Sequence, residues 1–149
     1  GVVEFGLARE QGEAREVGRQ MARLLLKEER AKQGRPLCLL AGGETTVTIK
    51  GNGKGGRNQE LVLGAVHELK EMKDAMLLSI ATDGEDGPTD AAGAVATDTS
   101  AHRAESLGLS AAGSMSRNDA YVFFDQMGDL IRTGSSGTNV NDIILCLAF

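Results

Sequence analysis

The stretch Gly51-Asn52-Gly53-Lys54-Gly55-Gly56-Arg57-Asn58-Gln59-Glu60 joins two segments of different period. Before it, Thr46 to Lys50 alternates polar residues with Val47 and Ile49, the pattern of a half-exposed strand. After it, Leu61, Ala65, Leu69 and Met72 recur at helical spacing beside Val62 and Val66, with Glu60, Gly64, His67 and Glu71 expected to face solvent. Strand, loop and helix in that order place the chain in the α/β class. Four of the first six loop residues are glycine, which is costly to order unless the backbone needs positive φ or close approach. The loop opens onto a helix start, where N–H groups are unpaired and partially positive. Gly53, Gly55, Gly56, Arg57 and Asn58 are therefore candidates for an anion cradle. The competing reading is a flexible connection into an amphipathic helix.

Upstream, Ala8 to Gln33 reads as one long helix with Val17, Met21, Leu24 and Leu25 as its apolar stripe, stopped by Gly34 and Pro36. Pro36 to Ala41 is a continuous apolar run, as in a strand covered on both faces. Gly42 to Thr45 is then expected to turn the chain into Thr46–Lys50, pairing the two strands antiparallel. Downstream, Ala75–Ala81 (AMLLSIA) and the run from Asp142 to Leu147 read as buried strands. Ala91 to Thr97 fits strand or helix, Thr99 to Leu107 reads as a helix ending at Gly108, and Asn118 or Ser116 can cap a helix closed by Gly128. The expected fold is a single layered α/β domain over residues 1–149, a mixed and mostly buried sheet flanked by helices.

The chain has 149 residues and 41% hydrophobic content, enough for one core. A net charge of −5 without a long Lys/Arg cluster argues against a nucleic-acid surface, and only five aromatic residues offer little base stacking. No apolar run is long enough to span a bilayer, and no secretory signal opens the chain, so no membrane partner and a cytoplasmic setting are expected. The first residue is Gly1 rather than methionine, which suggests a piece of a longer protein. Cys38 and Cys146 lie in apolar runs and are expected as buried free thiols; a disulfide between neighbouring strands is the alternative.

The literal pattern Gly51-x-Gly53-x-x-Gly56 matches a dinucleotide fingerprint, but the preceding segment alternates and ends in Lys50. The acidic residue after the next strand, Asp83, is more than thirty residues on, where about twenty is usual. A Walker A loop fails because Gly55 follows Lys54. The loop ATDGEDGPTD gathers Asp83, Glu85, Asp86 and Asp90 beyond a buried strand, hard oxygen ligands suited to Mg²⁺. Within it Asp83 and Asp90 are the candidate functional residues and Glu85 the solvated one; the rival reading makes these turn residues, with Asp90 an N-cap. The loop Thr133-Gly134-Ser135-Ser136-Gly137-Thr138-Asn139 could hold a phosphate or carboxylate. Neither histidine supports a Ser–His–Asp set, and no zinc spacing is present.

In order, AGGETTVTIKGNGKGGRNQE, TDGEDGPTDAAGA and TGSSGTNVNDI resemble the C-terminal MOFRL domain of the glycerate 2-kinases, from about Pro36 to Leu147. In that family the last motif runs TGPTGTN; Ser135 and Ser136 here keep a hydroxyl and lose the proline. The resemblance implies a larger N-terminal α/β domain as partner, ATP and Mg²⁺ as cofactors, and phosphate transfer to D-glycerate giving 2-phosphoglycerate in the cleft between domains. It implies a role for Arg57 on the glycerate carboxylate or a phosphate, and for Asp83 and Asp90 as metal ligand or base. Glu44 would orient Arg57 or a substrate hydroxyl, and Thr138 and Asn139 would close the far side. The isolated chain would then be inactive, and the full-length protein cytoplasmic or mitochondrial. The rivals are a non-enzymatic module binding an anion or a partner, and a dinucleotide-dependent oxidoreductase.

Overall fold

The computed structural model describes residues 8–32 and 35–149. Six strands, β1 (Ala8–Glu13), β2 (Leu37–Thr46), β3 (Ala75–Ala81), β4 (Gly93–Thr97), β5 (Leu130–Ile131) and β6 (Asp142–Ala148), form one mixed sheet in the order β1-β2-β6-β3-β4-β5. The two most apolar runs take its centre: β6 lies antiparallel to both β2 and β3, with Leu39 and Leu77 on either side of Cys146. Among the described strands only β1 and β2 run parallel. The α/β class and the mixed sheet are as the sequence predicts.

The helices are α1 (Ala14–Lys32), α2 (Arg57–Leu69), α3 (Ser100–Ser106), α4 (Ala111–Ser116) and α5 (Ala120–Met127). Helix α2 lies on the sheet face that carries Leu77 and Ser79, and the Ser79 hydroxyl donates to Asn58 Oδ1 at its start. α1 crosses α2 at backbone contact, Gly18 against Leu61 and Gly64 against Arg15. Between these layers Leu25, Leu61, Val66, Leu69, Leu77, Ile144 and Cys146 are buried, with Phe123 and Phe124 of α5 beneath α2. Full burial of a leucine such as Leu77 stabilises by roughly 1.5–3 kcal/mol. Among the described residues no helix is long and apolar enough to cross a membrane.

Several expectations need correction. The helix predicted from Ala8 starts at Ala14, because Ala8–Glu13 pairs with Ala41–Thr46, and sheet pairing overrides the helix preference of its Arg, Glu and Gln. Its other end, Gln33, lies outside the described residues. Leu24 is 41% exposed, so the stripe is Val17, Met21 and Leu25. There is no hairpin at Gly42–Thr45: β2 continues through both glycines, which pair with Ile143 and Asp142. Val47–Lys50 lies beyond the strand, where Thr48 donates from N and Oγ1 to the Glu13 carboxylate at 3.0 and 2.9 Å.

The polar side of α2 does not face solvent at its start either, since Glu60 and Gly64 are buried under α1. The segment after the acidic loop resolves as strand β4, so Asp90 caps no helix. Neither Ser116 nor Asn118 is the cap of α5, a place taken by Asp119, while Gly128 ends the helix left-handed as expected. Cys38 pairs with Leu147 and Leu39 with Cys146, which puts the two thiols on opposite faces of the sheet. Both are free. Burial pushes the Cys146 thiol up to about 12.

Candidate functional site

Where β2 and β3 end and β6 begins, the loops that follow and precede them enclose a cleft of about 650 Å³. Its walls include Glu44, Arg57, Glu60, Asp83, Glu85, Asp86, Asn118, Asn139 and the backbone of Gly53, Gly55 and Gly56. Strand ends supply Glu44, Asp83 and the residues before Asp142, while the glycine loop delivers Arg57 from the side.

Arg57 is held firmly. Asp142, buried at the start of β6, accepts from Nε at 2.6 Å and from Nη2 at 3.0 Å, and Glu44 accepts from Nη1 at 3.1 Å. The hydrogen bonds to Asp142 hold the guanidinium pKa above its ordinary value. The predicted Glu44–Arg57 pairing is present, but the two-point face expected for a substrate carboxylate is occupied by Asp142. Two of the five guanidinium N–H groups are left for a ligand, one each on Nη1 and Nη2.

The helix start is also occupied. Asp86, 1% exposed, accepts from Asn58 N at 3.0 Å and Nδ2 at 3.2 Å, and from Gln59 N at 2.8 Å. The anion at this helix terminus is thus the protein's own carboxylate. Burial raises the Asp86 pKa, with the hydrogen bonds from Asn58 and Gln59 pulling the other way. A Cβ on Gly56 would collide with Asp86, so the glycine is there to let the acidic loop reach the helix.

The rest of the glycine loop is wrapped rather than open. Gly53 is pressed against Arg117 and Asp119, where any Cβ would collide, and its N–H donates to Arg117 O at 2.8 Å. Lys54 N donates to Asp119 Oδ1 at 3.0 Å, and the Lys54 ammonium lies 3.9 Å from the centre of the Tyr121 ring. Asn118 fastens the loop's entry: Oδ1 accepts from Lys50 N at 2.7 Å and Gly51 N at 3.0 Å, and Nδ2 donates to Thr48 O and Glu60 Oε2. Glu60 in turn accepts from Arg15 Nε at 2.9 Å. These fingerprint glycines meet protein backbone, not a dinucleotide. Among the described residues the amides of Gly55, Gly56 and Arg57 have no hydrogen-bond partner, and all three residues border the cleft.

The two candidate aspartates separate. Asp83 lines the cleft, its Oδ1 accepting from Glu85 N at 3.1 Å and its Oδ2 facing Asn139 Nδ2 at 3.4 Å. Asp90 lies outside it, accepting from Tyr121 Oη at 2.7 Å and Arg132 Nε at 3.0 Å, contacts that lower its pKa. Among the described residues no three His, Cys, Asp or Glu side chains gather as a metal cage. Asp86 has both oxygens engaged, which leaves Asp83 and Glu85 as the acidic-loop carboxylates in the cleft that could hold a divalent cation together with water. Thr138 is exposed and not part of the wall, but its loop is anchored: the Ser136 hydroxyl donates to Thr82 O and accepts from Thr138 N. The hydroxyl kept in that motif is therefore in use.

Comparison with known proteins gives this cleft relatives. The MOFRL family model matches residues 37–142. A D-glycerate 2-kinase of Thermotoga maritima is 44% identical over 138 residues, 91% of this chain and 33% of that protein. A human glycerate kinase is 47% identical over 114 residues, 72% of this chain and 22% of its own length. The crystal structure of glycerate kinase from Thermotoga maritima superposes with a TM-score of 0.92 at 41% identity, covering 99% of this chain and 36% of that one. This chain thus spans about a third of these relatives' length or less, and all of its sheet and helices recur in the solved one. The chain belongs to the MOFRL family.

Proposed function

We propose that residues 1–149 form the C-terminal domain of an ATP-dependent glycerate kinase that phosphorylates D-glycerate to 2-phosphoglycerate. The N-terminal domain of the same protein would supply the opposite wall of the cleft. One observation carries the reading: the cleft holds a single cation among its described residues, Arg57, clamped by Asp142 and Glu44 beside three unpaired amides. That arrangement suits an oxyanion whose charge is met by fixed donors. The names of the relatives supply the substrate.

Glu44, Glu60, Asp83, Glu85 and Asp86 also line the cleft, and although Glu44 and Glu60 are paired with Arg57 and Arg15, carboxylates outnumber the one cation of this wall. Catalysis then needs positive charge from beyond it. Mg²⁺, when bound, would neutralise phosphate oxygens, and Asp83, which lines the cleft, would hold it or accept the glycerate hydroxyl proton. Arg57 would orient the substrate through its two free N–H groups, and the Gly55–Arg57 amides would hold an oxygen on the moving group. Asn139 steadies Asp83. Asp90 would serve the loop through Tyr121 and Arg132 and not the chemistry.

The test is turnover of the full-length protein with D-glycerate and ATP–Mg²⁺, the product position read by phosphorus NMR. Wild type should give 2-phosphoglycerate, Asp83→Asn should lose on the order of a hundredfold or more in kcat, and Asp90→Asn should lose little. Absence of glycerate-dependent ATP consumption, or the reverse ranking of the two variants, would overturn the assignment.

A further inference from the structure

The sheet has two faces and the described helices cover one. The runs LCLL, AMLLSIA and DIILCLA are near-continuous in apolar residues, the pattern of strands buried on both sides. Yet burial alternates along β3 and β6, where Leu77, Ile144 and Cys146 are sealed under the helices and Leu78, Leu145 and Leu147 are only half-buried. None of these last three, nor Leu40, Met76, Ile80 or Ile143, packs against the core.

Strand register makes them contiguous. One cross-strand row runs Leu40, Leu145, Leu78, Val95. The next runs Cys38, Leu147, Met76, Thr97, and on the cleft side Ile143 meets Ile80. On β2, β6, β3 and β4 no charged residue falls within these rows; Arg9 of β1 stands at the edge of the Ile143–Ile80 row, next to Gly42. At sheet spacings they span roughly 13 Å by 14 Å, close to the footprint of one or two helices of about 10 Å diameter. A contiguous apolar patch of this kind on a water-facing sheet marks a docking surface.

We propose that this face is the seat of an apolar helical surface belonging to the part of the full-length protein outside these 149 residues. The length comparison identifies the occupant. The solved Thermotoga maritima structure contains this whole body as 36% of its chain, so the remaining share is tethered to it. A tethered occupant holds a high effective concentration that a free partner lacks. The row at Ile80 and Ile143 adjoins the cleft end of the sheet, so a body seated here is also placed to reach the cleft rim. The proposal concerns the opposite face from α2 and stands whether or not the cleft phosphorylates glycerate.

Two native residues of the face report on it without substitution. In the native full-length protein, alkylation of Cys38 should be slower than in the denatured protein by on the order of a hundredfold, at every protein concentration. Cys146, sealed in the helix layer, serves as the fully protected control. Full-length protein carrying photo-methionine should crosslink from Met76 to a peptide outside these 149 residues within the same molecule. Cys38 labelling within a few-fold of the denatured rate would show the face open and overturn the proposal. So would protection lost on dilution, or a Met76 crosslink joining two copies or ending inside these 149 residues.

Discussion

Asp86→Ala isolates what holds the acidic loop against α2. The substitution removes the acceptor for three N–H donors, Asn58 N, Asn58 Nδ2 and Gln59 N, all on buried residues. A buried donor left without a partner costs about 1–3 kcal/mol, and loss of the negative charge at the helix start about 0.3–2 kcal/mol more. Two effects reduce the sum. The carboxylate no longer has to be desolvated, and Asp86 borders the cleft, so water can enter the vacated space. A net loss of about 2–5 kcal/mol follows. For a unit of this size that lowers the unfolding midpoint by roughly 5–15 °C. The assay is thermal unfolding of the full-length protein, with hydrogen exchange of peptides covering Gly51–Glu60 and Thr82–Asp90. Both peptides should exchange faster in the variant, because each pins the other. An unchanged midpoint together with unchanged exchange would refute the reasoning, and with it the claim that the helix start is filled from within.

The pH dependence of the same group has a definite sign. Its folded pKa is raised by burial, so its stabilising contribution is full below the ordinary carboxylate range and is lost as pH rises through the folded value. The stability lead of wild type over Asp86→Asn should therefore shrink as pH rises from 4, read by denaturant titration; a growing lead would mean that the hydrogen bonds outweigh burial. Asn118→Ala should cost about 2–4 kcal/mol, since it frees Lys50 N and Gly51 N and unpairs Glu60 Oε2. Unfolding midpoints of the full-length variant check this, and a shift under about 2 °C would contradict it.

The central strands were legible because the apolar runs AMLLSIA and DIILCLA admit few alternatives, but the full burial they suggest is met on one face only, where Leu77, Ile144 and Cys146 lie. β1 was not, because Ala8–Glu13 carries helix-forming residues and becomes a strand only through pairing with β2. The false hairpin had a similar origin, Gly42-Gly43 reading as a turn where the chain runs straight past β6. At the cleft, the Arg57–Glu44 pairing was legible because the two residues are only thirteen apart, although Glu44 sits in a strand and not in the expected turn. Asp142 and Asn118 were not, since each acts on groups 58 to 85 residues away. A polar residue heading an apolar run, as Asp142 does, was the available signal. Asp86 was noticed as one of four acidic residues, but nothing local separates a buried helix anchor from a solvated neighbour such as Glu85.

The most direct test of the central claim is kcat/KM for D-glycerate phosphorylation by full-length protein carrying Arg57→Lys. Asp142 and Glu44 fix a planar guanidinium and leave two N–H groups free, which on the proposed reading donate to the substrate; an ammonium cannot bridge both carboxylates and keep two donors fixed. The account predicts a fall on the order of a hundredfold or more, with the unfolding midpoint lowered by only a few degrees, as for the loss of a part-exposed ion pair. Near wild-type kcat/KM in a folded Arg57→Lys protein would show that the clamp is a structural tie only and that the cleft's chemistry lies elsewhere.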